Sequence, residues 1–218
     1  MEVWTSGDVA LLGVRALPLR VAGGWRLQVE IECDSARSRE AVVALNLTPE
    51  NFEGEELRAE RPIHLPSGRQ RVRFYWLLPE MSLWEVWERG FPHLYRLTLQ
   101  VGDEELSTRL GFRTVTREGD WVCLNERKLF LRGTNIIPTQ WLAGYSLAQA
   151  EADVRLLKEA HLNAVRVHAH VTHPAFYEVC DREGVLVWQD MPLQWGYALD
   201  DAFAQEAVRQ AEALTWVL

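Results

Sequence analysis

Residues 163–190 read NAVRVHAHVTHPAFYEVCDREGVLVWQD, and this stretch decides the fold. It opens as a strand. A period of two puts Val165, Val167 and Ala169 on one face and Arg166, His168 and His170 on the other. HPAFYEVCDREG then reads as a short helix, with Pro174 in its first turn and Gly184 at its C-cap. GVLVWQD is a second strand. Strand, helix, strand in under 30 residues is a β–α–β unit with parallel strands. One face of the first strand becomes polar and basic just where that strand ends, which fits a metal site, a substrate cleft or merely a solvated loop.

The same rhythm extends outward from this stretch. KLFLRGTNIIP reads as a strand entering a loop. SLAQAEADVRLLKEAHL reads as an amphipathic helix with a capping box from Ser146 to Gln149 and an apolar stripe of Leu147, Ala150, Val154 and Leu157. DDAFAQEAVRQAEALTWVL is a third helix, capped by Asp200 or Asp201. Three β–α units follow one another. A closed (β/α)₈ barrel needs roughly 200 residues or more, and residues 116–218 supply only about 100.

Residues 1–115 keep a different rhythm, that of short strands. WRLQVEIEC alternates Trp25, Leu27, Val29 and Ile31 with Arg26, Gln28, Glu30 and Glu32. AGG, PSG and GDE punctuate the strands as turns. The pattern predicts an antiparallel sandwich of immunoglobulin type, with no catalytic constellation in it. The fold class expected is therefore multidomain, β plus α/β: a sandwich over 1–115, then the first three β–α units of a (β/α)₈ TIM barrel over 116–218.

Composition narrows the function. The chain has 218 residues, 48% hydrophobic and 25% charged, with a net charge of -8. That charge argues against a nucleic-acid partner. No apolar run approaches the roughly 20 residues of a membrane helix. MEVWTSGDVA has neither the basic start nor the apolar core of a signal peptide, so a cytoplasmic location is expected. Cys33, Cys123 and Cys180 are too widely spaced for a disulfide framework and read as buried free thiols. Asn46-Leu47-Thr48 is a glycosylation triplet, meaningful only in a secreted protein. The ten tryptophans read mostly as core, although a flat ring also suits the apolar face of a sugar.

ERGFPHLYRLTLQV, GFRTV, LNERKLFLRGTNIIP and residues 163–192 together resemble glycoside hydrolase family 2. The likeness is strongest to the β-mannosidase branch, whose third barrel strand ends in a similar VWQD-F/M-P pattern. It implies a retaining, exo-acting hydrolase of β-glycosides, with a carbohydrate substrate and no cofactor. By this likeness the chain is an internal fragment. The acid/base Glu, in an Asn-Glu pair, and the nucleophilic Glu are expected beyond Leu218, which would leave these residues inactive alone. Glu178 and Glu183 belong to a helix and are not catalytic candidates.

The resemblance implies a substrate face of Asn135, Arg166, His168, Trp188, Asp190 and Trp195, with no metal. Arg166 matches the family's strand-end arginine, whose guanidinium fork suits carboxylates. Asp190 is either its partner or a ligand for sugar hydroxyls. Asn135 serves either structure or a subsite, and Trp188 and Trp195 line either the cleft or the core. His168 departs from the tryptophan common in mannosidases. Ile137 departs from the histidine of the galactosidase branch. Two other classes stand beside this reading. One is a metal-dependent barrel hydrolase using His168 and His170, which would need a third ligand such as Asp190. The other is a non-catalytic glycan-binding or interaction module. An open three-stranded sheet would also leave Leu186 and Trp188 facing water, which predicts a homo-oligomer.

Overall fold

The computed structural model describes residues 7–217 except 138, 140, 194, 195 and 199; the side chains of Leu142 and Val217 are not described. The chain divides into two compact units. One comprises residues 1–83 and 93–114, the other residues 84–92 and 115–218.

The first unit is built from β1 (Val9–Val21), β2 (Gly24–Ser35), β3 (Arg39–Pro49), β4 (Leu57–Leu65), β5 (Gly68–Leu78), β6 (Tyr95–Val101) and β7 (Glu104–Leu110). Its two sheets run β1-β2-β5 and β4-β3-β6-β7, antiparallel throughout. The alternation in β2 sets the packing. Trp25, Leu27, Val29 and Ile31 are buried in one core with Val43, Leu45, Leu47, Leu97 and Leu99 of the other sheet. Each such side chain stabilises by roughly 1.5–3 kcal/mol when fully buried. The opposite face of β2 carries charge: Glu30 lies between its cross-strand neighbours Arg15 and Arg73, at 2.9 and 3.3 Å. The β1–β2 turn requires glycine at Gly24, where a Cβ would stand 2.3 Å from the carbonyl oxygen of Leu78.

The second unit begins with a meander of β8 (Val115–Glu118), β9 (Trp121–Leu124) and β10 (Arg127–Leu129). Then come β11 (Gly133–Ile136), α1 (Leu147–Glu159), β12 (Ala164–Val167), α2 (Pro174–Glu183), β13 (Leu186–Gln189) and α3 (Asp201–Val217). Strands β11, β12 and β13 form a parallel sheet in chain order. Val165 and Val167 turn to the helices and pack with Ala150, Val154, Leu157, Phe176 and Val179. Gly184 caps α2 in the left-handed conformation, and Asp200 Oδ1 accepts from Phe203 N–H to cap α3.

Four local expectations need correction. KLFLRGTNIIP is not one strand: Arg127–Leu129 pairs antiparallel with β9, while Gly133–Ile136 joins the parallel sheet. Leu147 is 48% exposed, so the buried stripe of α1 is Ala150, Val154 and Leu157. The capping box is half formed: Ser146 Oγ accepts from Gln149 N–H, but the Gln149 amide bonds Asp153 along the helix. The alternation that would carry His170 onto the face of Arg166 stops early. Strand β12 ends at Val167, and Ala169 turns left-handed with φ 54°.

Residues 84–92 lie within sandwich sequence yet pack as part of the second unit. Trp84 Nε1 donates to the carbonyl of Asp181 at 2.8 Å, and Trp87 Nε1 to that of Leu162 at 2.9 Å. Asn163 is fully buried. It accepts from Arg132 N–H and donates to Glu88 and to the Phe130 carbonyl, so its amide is satisfied at the start of β12.

Candidate active site

Parallel pairing sets the site. Asn135, Arg166 and Trp188 occupy one rung across β11, β12 and β13, and all three are exposed. Because Val165 and Val167 take the helix side, this rung takes the other face of the sheet. The rung lies one residue before the C-terminal ends of the strands.

Asp190 follows directly on β13. Arg166 Nε donates to both carboxylate oxygens at 3.1 and 3.0 Å, and Nη2 donates to Oδ2 at 2.7 Å. Ala169 N–H adds a fourth hydrogen bond at 3.2 Å. The Arg166 guanidinium, helped by this amide, holds the Asp190 carboxyl below the usual carboxylate range despite opposing desolvation. Asp190 in turn raises Arg166 above its ordinary value, mainly through the same hydrogen bonds. A carboxylate so held is a poor proton donor, and it fits an orienting role better than general acid catalysis.

His168 Nδ1 stands 3.5 Å from Asp190 Oδ2, within ion-pair reach when the ring is protonated. At that length it makes no hydrogen bond, and among the described residues Nδ1 has no hydrogen-bond partner. His170 turns its Nδ1 to the carbonyl of His168 at 2.9 Å. His173 caps α2, its Nδ1 accepting from Ala175 N–H. The crowded histidines thus have three separate settings. Among the described residues no group of three His, Cys, Asp or Glu side chains could hold a metal ion, so the H-x-H reading lacks its third ligand.

Trp188 is 64% exposed, whereas Trp25, Trp76 and Trp84 are core residues. Trp195 lies outside the described residues. Glu178 is on α2, and Glu183 ends that helix bonded to Lys158 at 2.7 Å. Neither stands at the C-terminal end of a strand.

The sequence reading passed over Gln189. It sits in register with Val167, on the face turned to the helices, where the alternation calls for an apolar residue. That mismatch was the available signal. A polar residue at an apolar phase must find partners inside, and Gln189 does, through Tyr177 and two loop carbonyls.

Residues 115–213 match the glycosyl hydrolases family 2, TIM barrel domain. The matched range contains both Arg166 and Asp190. Proteins similar in sequence include a β-galactosidase from Pseudoalteromonas haloplanktis, 33% identical over 109 residues, covering 46% of this chain and 10% of that protein. A β-galactosidase from Arthrobacter sp. (strain B7) is 34% identical over 112 residues, covering 50% and 11%. The chain thus spans about a tenth of the length of these curated relatives.

Solved structures share the fold over a longer range. A β-D-mannosidase from Dictyoglomus thermophilum superimposes with a TM-score of 0.82 at 24% identity, covering 96% of this chain and 27% of that one. A family 2 β-galacturonidase from Eisenbergiella tayi does so with a TM-score of 0.70 at 25% identity, covering 85% and 33%.

Proposed function

We propose that these residues form an immunoglobulin-like sandwich and the opening β–α units of the barrel of a retaining, exo-acting family 2 β-glycosidase, and that the substrate is a β-mannoside. The observation that carries the reading is the Arg166–Asp190 pair at the C-terminal end of a parallel sheet. It lies in the segment that matches the family 2 barrel domain. Barrel enzymes gather their catalytic groups at that end. The strand order β1-β2-β5 over β4-β3-β6-β7 supports the sandwich part.

Retaining hydrolysis uses two carboxylates about 5–5.5 Å apart, one cycling as acid and base, the other attacking the anomeric carbon. Asp190 is committed to Arg166 and the Ala169 amide, so it takes neither role. Its work is to fix the guanidinium. Arg166 Nη1 makes no hydrogen bond among the described residues and can orient a further carboxylate or a sugar hydroxyl. Asn135 and Trp188 flank it on the same rung, a polar arm on one side and a flat ring on the other.

The test is an assay with 4-nitrophenyl β-mannoside, β-galactoside and β-glucoside. The 218-residue chain alone is expected to be inactive. The same chain expressed with the coding sequence that adjoins it is expected to prefer the mannoside. Turnover by the 218 residues alone, or none by the extended protein on any β-glycoside, refutes the reading. A galactoside preference is the second reading, favoured by the relatives named as β-galactosidases.

A further inference from the structure

We propose that Gln189 is the positioning residue of the Arg166–Asp190 site, acting through the main chain on either side of it. The inference rests on the reading of that pair as part of the sugar site, although its geometry stands alone.

Gln189 lies on the opposite face of the sheet from the site, half-buried beside α2. Its Nε2 donates to the carbonyl of His170 at 2.6 Å and to that of Asp190 at 2.7 Å. Two acceptors at one atom fix which end of the amide is nitrogen. Its Oε1 accepts from the Tyr177 hydroxyl at 2.6 Å. Tyr177 must send its proton that way, because an amide oxygen can only accept, and the hydroxyl oxygen itself accepts from Thr172 N–H at 3.1 Å. The chain of donors therefore runs in one direction, from Thr172 N–H through Tyr177 and Gln189 to the two carbonyls.

These bonds clasp the loop that follows β12 to the end of β13. His168 N–H donates to the Ile136 carbonyl and Asp190 N–H to that of Val167. Within the loop, Ala169 holds a φ of 54°, a left-handed conformation that residues other than glycine rarely adopt. That turn aims the Ala169 amide at Asp190 Oδ2. Pinning the His170 carbonyl one residue later is what keeps the turn in place. Gln189 thus fixes both partners of the Ala169–Asp190 hydrogen bond, one through His170 and one through Asp190's own carbonyl.

The test uses the 218-residue chain, isotope-labelled for NMR, with two substitutions. Gln189→Glu keeps the size and the acceptor that faces Tyr177, but it sets an oxygen against two carbonyls. Tyr177→Phe removes the hydroxyl and leaves the amide donors. With Gln189→Glu, the Ala169 amide is expected to lose at least tenfold of its hydrogen-exchange protection. The Asp190 carboxyl is expected to titrate at higher pH, while the Val165 and Val167 amides keep their protection. Tyr177→Phe is expected to shift both readouts the same way by less, and it carries the test if Gln189→Glu does not fold. The proposal is overturned if Ala169 and Asp190 behave as in the parent chain. It is equally overturned if protection falls uniformly across the second unit, as a purely structural residue would cause. Neither readout depends on glycoside hydrolysis, so failure of the sugar reading is seen separately.

Discussion

Asp190 carries a pH signature of its own. Its carboxyl is held below the usual range, so the stability it contributes is present above the unfolded value of about 3.9 and is lost as pH falls through the folded one. Asp190→Asn is expected to flatten that acid limb while leaving the shape of the curve above about pH 5 unchanged. Urea midpoints at pH 7 and pH 3 check it. Arg166→Lys is expected to behave as a loss rather than a conservative change, because an ammonium cannot reproduce the Nε and Nη2 contacts to one carboxylate. At Ala169, valine is expected to destabilise by about 1 kcal/mol or more, since a β-branched residue tolerates φ 54° worse than alanine does, whereas glycine is relieved of that strain. Thermal unfolding of the two variants measures the difference. The Arg166–Asp190 pair was legible in the sequence because a long side chain reaches across parallel strands about 4.8 Å apart. The amide contributed by Ala169 was not, because it depends on a left-handed turn that no alternation pattern encodes.

At the scale of elements, the helices and the parallel strands could be read from period and caps, and the meander could not. Strands β8 to β10 are three or four residues long, too short for a repeat to show. Gly133 marks where one apparent strand becomes two, and a Cβ there would come within 3.1 Å of the Ala164 carbonyl oxygen. The placement of residues 84–92 was also hidden, because their partners lie far along the chain: Trp84 bonds a carbonyl 97 residues later. Gly184 joins the two, accepting from Trp87 N–H while capping α2. Gly184→Ala is expected to destabilise by more than the roughly 1 kcal/mol of a left-handed alanine, because its Cβ would stand 2.7 Å from Trp87 N. Trp84→Ala is expected to cost about 3–5 kcal/mol, since that side chain is fully buried. Circular dichroism melts of both variants read these losses.

Across the whole molecule, the thiols report on the two units separately. Cys33 lies in the first, Cys123 and Cys180 in the second, and all three are fully buried. Burial also pushes the thiols up, Cys180 most of all, so little thiolate is present at neutral pH. All three are expected to resist an aromatic disulfide reagent in the native protein. In rising urea, the order in which they react gives the order in which the units open, which mass spectrometry of labelled peptides resolves. The division of the chain also bears on its synthesis. Residues 84–92 leave the ribosome well before Leu162, Asp181 and Gly184, to which they bond. At roughly 5–20 residues per second, Trp84 waits about 5–20 s for its partner. During that interval Trp84, Val86 and Trp87 stand uncovered, while the sandwich on either side of them is completed once residue 114 has emerged. A nascent chain paused once residue 115 has cleared the exit tunnel should therefore be held by a chaperone at this segment, and the grip should loosen once residue 185 has cleared it.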